Sequence, residues 1–451
     1  MVLTLLLFMA VLLGIGIYTG HRKNDYSTFV IAGHRQSWPF ILLSLMATMI
    51  GGSATFGVVS TGYQLGFPAI WWLGVGSVGL IFQAVFVSGK VRDLEVHTLA
   101  EAGNRLVGGG AGILISAIIA ISWIGIIAGQ FAALAQIFSF ITGQTNNLLL
   151  ILISAAIVVL FTTVGGQLSV MRTDNVFFFF LFFGIVATFC FLFCGGTETG
   201  ATGKVLSDIR LFQADFTPMN AVYLLFVVGG TYFIGPDVLS RSMTAKDTAS
   251  ARKASLSAAF LLLFFNVLII GIALWCRNGV ADLENFHPLV YLMKYRLPTV
   301  ISLLLALGLT SALLSSASTC LITAAATIQN DLIRKESVAG TRILIVLIGI
   351  FAAAISIRNS DIISILTGAY SIYAPGIVFP LFVAIANYKK RRIRQSIWLL
   401  AVAVGGICGI IGNFITFAYL PLIGMFLSLI ISLFSLQKKP AGINACPKHH
   451  R

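Results

Sequence analysis

Charge is scarce in this chain, and acids are the scarcer sign. Asp, Glu, Lys and Arg make up 10% of the 451 residues, 15 acidic against 29 basic. No soluble domain of this length covers its surface with so few charges, which excludes a water-facing globular enzyme. Cysteine is sparse as well: Cys190, Cys194, Cys276, Cys320, Cys408 and Cys446, without a CxxC pair. That spacing speaks against a transition-metal site, and the six read as small apolar fillers. A nucleotide-binding glycine loop, a His/Cys cluster and a nucleophile–base pair are all missing, so neither enzymatic chemistry nor a cofactor is implied. The basic residues are dispersed among short loops rather than gathered on one face, which argues against nucleic acid.

What the chain has is hydrophobic length: 58% apolar residues and a mean hydropathy of +0.97. Thirteen apolar runs fall near 1–19, 38–65, 68–89, 110–141, 147–165, 170–195, 218–236, 255–276, 299–328, 341–357, 362–387, 395–417 and 419–436. The expected fold is an all-α polytopic membrane protein of about thirteen transmembrane helices. The first run lacks a basic start and a small-residue cleavage site, so it reads as a retained helix. With the amino terminus outside, all basic residues but Lys204, Arg210, Arg277, Lys294, Arg296 and Arg358 fall in inside loops, Arg241 and the Lys389–Arg394 cluster among them. This asymmetry predicts a cytoplasmic carboxyl terminus in the cell membrane, and the net charge of +14 then reflects topology and anionic lipid.

Two runs carry paired glycines at mid-span: LSLMATMIGGSATFG, with Gly51-Gly52, and VVGGTYFIGPDVLSR, with Gly229-Gly230 and then Gly235-Pro236. Such pairs weaken a helix where lipid cannot rescue the backbone. Each run opens a set of five helices, over 38–196 and 218–388. Five being odd, the second set runs opposite to the first. Residues 1–37 form a leading helix and loop, 395–436 two further helices, and 437–451 a tail. Interrupted helices at matching places of inverted halves point to a transporter's binding site.

A third run, SALLSSASTCLITAAATIQND, places Ala312, Ser315, Ser316 and Thr319 on one helical face. Adjacent hydroxyls beside freed backbone carbonyls suit a small hard cation. Asp174, in SVMRTDNVFFFF, is the acid placed inside a membrane segment near its start, with Arg172 as its neighbouring partner. Asp237 and Arg241 read as an interfacial pair.

Six segments in order resemble the sodium:solute symporter family: STFVIAGHRQ, STGYQLG, HTLAEAGNRL, GGQLSVMRTDNV, GPDVLSRSMTAKDTASARKA and SSASTCLITAAATIQND. Family members share the LeuT-like five-plus-five inverted repeat behind an extra leading helix. The resemblance implies a sodium site made by the backbone carbonyls of Ala47, Ile50 and Ala312 with the hydroxyls of Ser315 and Ser316. It gives Asp174 the role of attracting and relaying the ion. Ala54, Leu73 and Val228 stand where sugar-transporting members carry polar side chains, which argues against a sugar. Tyr232 fits an aromatic position of proline-transporting members, whereas Val228 and Ile121 do not.

The expected cavity lining is Ser53, Thr55, Trp123, Gln130, Thr231 and Tyr232, fit for a compact zwitterion or monocarboxylate. The implied function is sodium-coupled import of a small organic solute, with sodium, solute and bilayer as partners and no obligate protein partner. A proton-coupled permease using Asp174, a channel, and a non-transporting sensor are the alternatives. A channel is disfavoured because no polar stripe runs the length of the bundle.

Overall fold

The computed structural model describes residues 26–194, 204–205 and 209–438 apart from 285, 360 and 416, together with eight positions between 3 and 18. The expected leading helix falls largely outside the described residues, as do Arg22, Lys23 and the tail with Cys446.

Nine helices among the described residues are long and apolar enough to cross a bilayer. The bent pair Trp38–Met49 and Ser53–Leu65 adds a broken span. The helix Asn147–Cys194 counts as one of the nine, yet its 48 residues would reach roughly 70 Å if straight. The hydrocarbon is only about 30 Å thick. Gly166 divides it: its φ of +61° and ψ of −173° lie where a side chain is strained, and a Cβ there would stand 2.6 Å from the Phe29 ring. The two runs expected over 147–165 and 170–195 are therefore separate spans that meet at this residue. Leu420–Phe434 is a shorter apolar helix. The expected count of thirteen is consistent with these elements, though the described residues do not fix it.

Hydrogen bonds gather the loops assigned to the inside on one face. Gln36 N–H donates to the Thr244 carbonyl (3.0 Å), and Lys246 N–H donates back to Gln36 (3.0 Å). Arg92 Nε donates to the Ala245 carbonyl at 2.5 Å. Arg392–Ile393 pairs antiparallel with Leu436–Gln437, which ties the basic cluster to the last helix. Loops 63–71 and 277–287 meet on the other face, where Tyr63 Oη donates to the Val280 carbonyl and His287 bonds the Phe56 carbonyl. Arg241 is the exception to the loop assignment: it is fully buried inside the bundle.

On the basic face, Thr98 caps the helix Leu99–Leu106 by accepting from Glu101 N–H (2.9 Å) and donates to Asp331 Oδ2 at 2.5 Å. Burial works to raise the Glu101 carboxyl, but hydrogen bonds from the His97 side chain and backbone, with Arg105 nearby, hold it below the usual range. The same Glu101 bond raises His97. Because Thr98 serves both a helix end and a buried carboxylate, Thr98→Ala is expected to lower stability by about 1–2 kcal/mol. Thr98→Ser, which keeps the hydroxyl, is expected to be close to wild type. Thermal unfolding of the purified pair checks this, and equal losses in both would remove the hydroxyl from the explanation.

Candidate functional site

The first broken helix stops at Met49 and resumes at Ser53 with a 56° bend. Ile50 leaves helical geometry at φ −91° and ψ 51°. Glycine is required next because the helix Thr299–Thr327 passes so close: a Cβ on Gly51 would stand 2.5 Å from Ser316 Oγ.

Side chains from two other helices satisfy the broken backbone. Gly52 N–H, which in an unbroken helix would bond the Thr48 carbonyl, donates instead to Gln130 Oε1 at 2.8 Å. The Thr48 carbonyl takes the Ser316 hydroxyl at 2.6 Å. Thr55 Oγ1 and N–H both donate to the Gly51 carbonyl, at 2.8 and 3.1 Å. Non-helical backbone survives at membrane depth only under such cover.

The five residues of the expected cation site lie on these two elements. Ala47, Ile50 and Ser315 are fully buried, and Ala312 and Ser316 nearly so. Ser315 Oγ stands 3.5 Å from Thr48 Oγ1, beside the Ser316–Thr48 bond. One carbonyl of the broken helix, that of Thr48, thus meets a hydroxyl of the continuous helix, that of Ser316, at a buried point.

Behind this point lies a group that the linear pattern did not reveal. Arg241 projects from the half-helix Pro236–Thr244 and donates from Nη2 to Thr319 Oγ1 (2.7 Å) and Thr48 Oγ1 (3.0 Å). The same nitrogen lies 3.4 Å from Asp174 Oδ2, and both side chains are fully buried. Ser44 Oγ donates to the same carboxylate oxygen. Asp174 therefore does not pair with Arg172, which is exposed while Asp174 is buried. Nor do Asp237 and Arg241 form the expected interfacial pair: the guanidinium turns inward, drawn by a carboxylate and two hydroxyls that water does not reach. The i,i+4 spacing on one short helix makes that local pairing look natural, while the true partner sits 67 residues away.

Beside the break is a small chamber of about 40 Å³. Of the expected lining, Ser53, Trp123, Gln130, Thr231 and Tyr232 are there. Thr55 is not, because its hydroxyl is turned back onto Gly51. Five further polar or aromatic residues belong to the wall: Thr48, Asp237, Ser316, Cys320 and Tyr370. Ala54, Leu73 and Val228 are fully buried elsewhere, and Ile121 is 54% exposed on the outer surface of its helix. None of these four touches the chamber. A larger cavity of about 920 Å³ on the basic face, lined by Arg105, Arg391, Arg392 and Arg394 among others, shares no residue with it.

Gly229 and Gly230 do not form the second break. Both lie inside the continuous helix Pro218–Phe233. The break falls at Ile234 (φ −135°, ψ 67°) and Gly235 (φ −102°, ψ 137°), just before Pro236. The glycine pair serves close packing instead: a Cβ on Gly229 would stand 3.0 Å from the Val75 carbonyl, and one on Gly230 3.2 Å from Met425.

The sequence profile of the sodium:solute symporter family matches residues 29–395. No curated protein matches the chain. Among solved structures, the chain resembles a Na+-coupled sialic acid symporter in its substrate-bound outward-open state, with a TM-score of 0.77 at 16% identity, over 96% of this chain and 98% of that one. It also resembles MHP1, a nucleobase-cation-symport-1 family transporter in a closed conformation, with a TM-score of 0.63 at 16% identity, over 90% and 93%. MhsT in complex with L-phenylalanine gives 0.53 at 15% identity, over 89% and 100%. These likenesses establish the LeuT-like fold.

Proposed function

Because the chain belongs to the sodium:solute symporter family, we propose that it couples inward movement of sodium to import of a small organic solute by alternating access. The observation that carries this reading is the meeting of the Gly51–Gly52 break with Ser315 and Ser316, backed by Asp174. The proposed sodium ligands are the carbonyls of Ala47, Ile50 and Ala312 and the hydroxyls of Ser315 and Ser316. An ion there ties the first broken helix to the serine-bearing helix. It favours the conformation in which the two are close, and it acts by differential affinity, since an ion bound equally well to two states shifts neither.

Asp174 and Arg241 stand behind the ion. The carboxylate draws the cation in, and the guanidinium, bonded to Thr48 and Thr319 of the same two elements, holds them together when the ion has left. The solute occupies the neighbouring chamber. At about 40 Å³ the chamber admits little more than one water molecule, so a solute enters only when the broken helices and their surroundings part. The loops at Gln36, Arg92 and Ala245 form the inner closure in this reading. One charge falling through about 100 mV yields about 2.3 kcal/mol. A tenfold sodium gradient adds about 1.4 kcal/mol. Together they support accumulation of a neutral solute by roughly a few hundred-fold.

The test is thermal unfolding of the purified protein in sodium against choline, for wild type and Ser316→Ala. A ligand at 100 times its dissociation constant adds about 2.7 kcal/mol. A sodium-specific rise is expected in wild type and is expected to vanish in the variant. Equal stability in both salts would overturn sodium coupling in favour of a proton carried by Asp174 on the same fold.

A further inference from the structure

The chamber wall holds a carboxylate with no cationic partner of its own. Asp237 sits in the first turn of the half-helix Pro236–Thr244, just past the second break, and lines the chamber with Trp123, Tyr232 and Tyr370. Arg241, one turn further along, is the basic residue placed to neutralise it. Its Nη2 is engaged by Asp174, Thr48 and Thr319 instead. Nε and Nη1 make no hydrogen bond, yet neither forms an ion pair with Asp237, which feels Arg241 only through its field. Among the described residues Asp237 has no ion pair.

An acid in the first turn of a helix is modestly favourable in itself, but Asp237 is not the cap of its helix, which is Gly235. Its charge stands at membrane depth, where it is costly unless a cation meets it. Three aromatic rings around a carboxylate form the kind of enclosure that attracts an organic cation. The rest of the lining has the opposite character. Buried Trp123 Nε1 finds no oxygen acceptor in the protein, and Gln130, its carbonyl oxygen held by Gly52 N–H, has its amide nitrogen left to donate. The chamber therefore presents an acceptor bearing full negative charge on one part of its wall and neutral donors on another.

We propose that the transported solute carries a cationic nitrogen, that Asp237 is its counter-charge, and that an anionic or carbonyl group of the same solute is met by Trp123 and Gln130. The solute is an amino acid or a related zwitterionic amine, and sugars, polyols and simple monocarboxylates are excluded. This inference rests on the symporter reading above and narrows its substrate class. Asp237 acts as a specificity determinant, and the sodium ligands remain those already named.

The experiment uses the full chain, purified, at saturating sodium. Probes are the proteinogenic amino acids, glycine betaine, lactate, acetate and glucose, and for each amino acid that binds, the hydroxy acid of the same shape. Ligand-induced thermal stabilisation is read over a concentration series for wild type, Asp237→Asn and Asp237→Glu. In wild type at least one nitrogen-bearing solute should bind about tenfold or more tightly than its hydroxy counterpart, the scale of a hydrogen-bonded charge. Asp237→Asn should bring that ratio close to one, and Asp237→Glu should retain part of it.

The sodium-against-choline shift of the unliganded protein is read in the same samples and should persist in Asp237→Asn. Its absence in wild type would be a failure of the symporter reading. With that shift present, the proposal is overturned if no nitrogen-bearing solute stabilises wild type. It is equally overturned if a sugar or monocarboxylate binds as well as the best amine, or if the ratio survives in Asp237→Asn. Loss of the sodium shift in Asp237→Asn with the ratio unchanged would make Asp237 a ligand of the ion, not of the solute.

Discussion

Arg241→Gln is expected to lower the stability of the protein by about 3–5 kcal/mol, and Asp174→Asn by a comparable amount. Neither side chain reaches water. Removing one leaves a buried charge that its remaining partners do not neutralise: for Asp174, the Ser44 and Ser315 hydroxyls; for Arg241, the hydroxyls of Thr48 and Thr319. The double variant, with neither charge left, is expected to recover a large part of the loss, because the cost of a broken buried pair lies mainly in the orphaned ion. Thermal unfolding of the four proteins gives the coupling directly. Single-variant losses that simply add would show that the two groups do not act as a pair. Arg241 also joins four elements in one place: the half-helix that bears it, Thr48 of the first broken helix, Thr319 of the serine helix, and Asp174. The double variant, though refolded, should therefore respond to sodium differently from wild type.

Ser315→Ala combined with Ser316→Ala is expected to abolish sodium dependence of uptake over any usable concentration range. On the scale of hydrogen bonds to charged groups, each hydroxyl contributes about 1.5–3 kcal/mol to holding the ion. Losing both raises the half-saturating sodium concentration by at least about 100-fold. The single variants should differ in stability. Ser316 Oγ donates to the Thr48 carbonyl at 2.6 Å, so its loss strands a buried acceptor at a cost of about 1–3 kcal/mol. Ser315 makes the long 3.5 Å contact to Thr48 Oγ1 and a side-chain hydrogen bond to Asp174; its loss strands no backbone carbonyl, so Ser315→Ala should be milder. Sodium-dependent solute uptake into proteoliposomes, read beside unfolding temperature, separates the two effects. A double variant that unfolds earlier but keeps the wild-type sodium response would remove these hydroxyls from the ion site.

Much of the site can be read along the chain because its signals are local. Gly51-Gly52 marks a break by backbone propensity alone, and the serine pair declares its face through helical spacing. Five of the six expected lining residues reach the chamber, since they sit near those breaks or on the helix that faces them. The errors are as physical as the successes. A glycine pair serves a break or a close helix contact equally well, and Gly229-Gly230 is the contact, at the Val75 carbonyl and Met425. The break itself lies at Ile234–Gly235, where the ring of Pro236 disfavours helical geometry in the residue before it. Thr55 misses the chamber because a threonine beside a break is also the nearest donor to the freed carbonyl.

Composition and periodicity suffice for a helical membrane protein, its broken first helix and its serine face, while its family is shown by the resemblance of its segments and the profile match over residues 29–395. Those three features follow from the chain's own spacing and from the bilayer's refusal to solvate backbone. Which charges meet is settled instead by helix packing. The partner of Asp174 is set by how helices cross and not by how residues are spaced. Arg241 leaves its near neighbour Asp237 for a carboxylate 67 residues distant, because that is where two hydroxyls and an acid converge out of reach of water. That choice is also what leaves Asp237 to face the chamber.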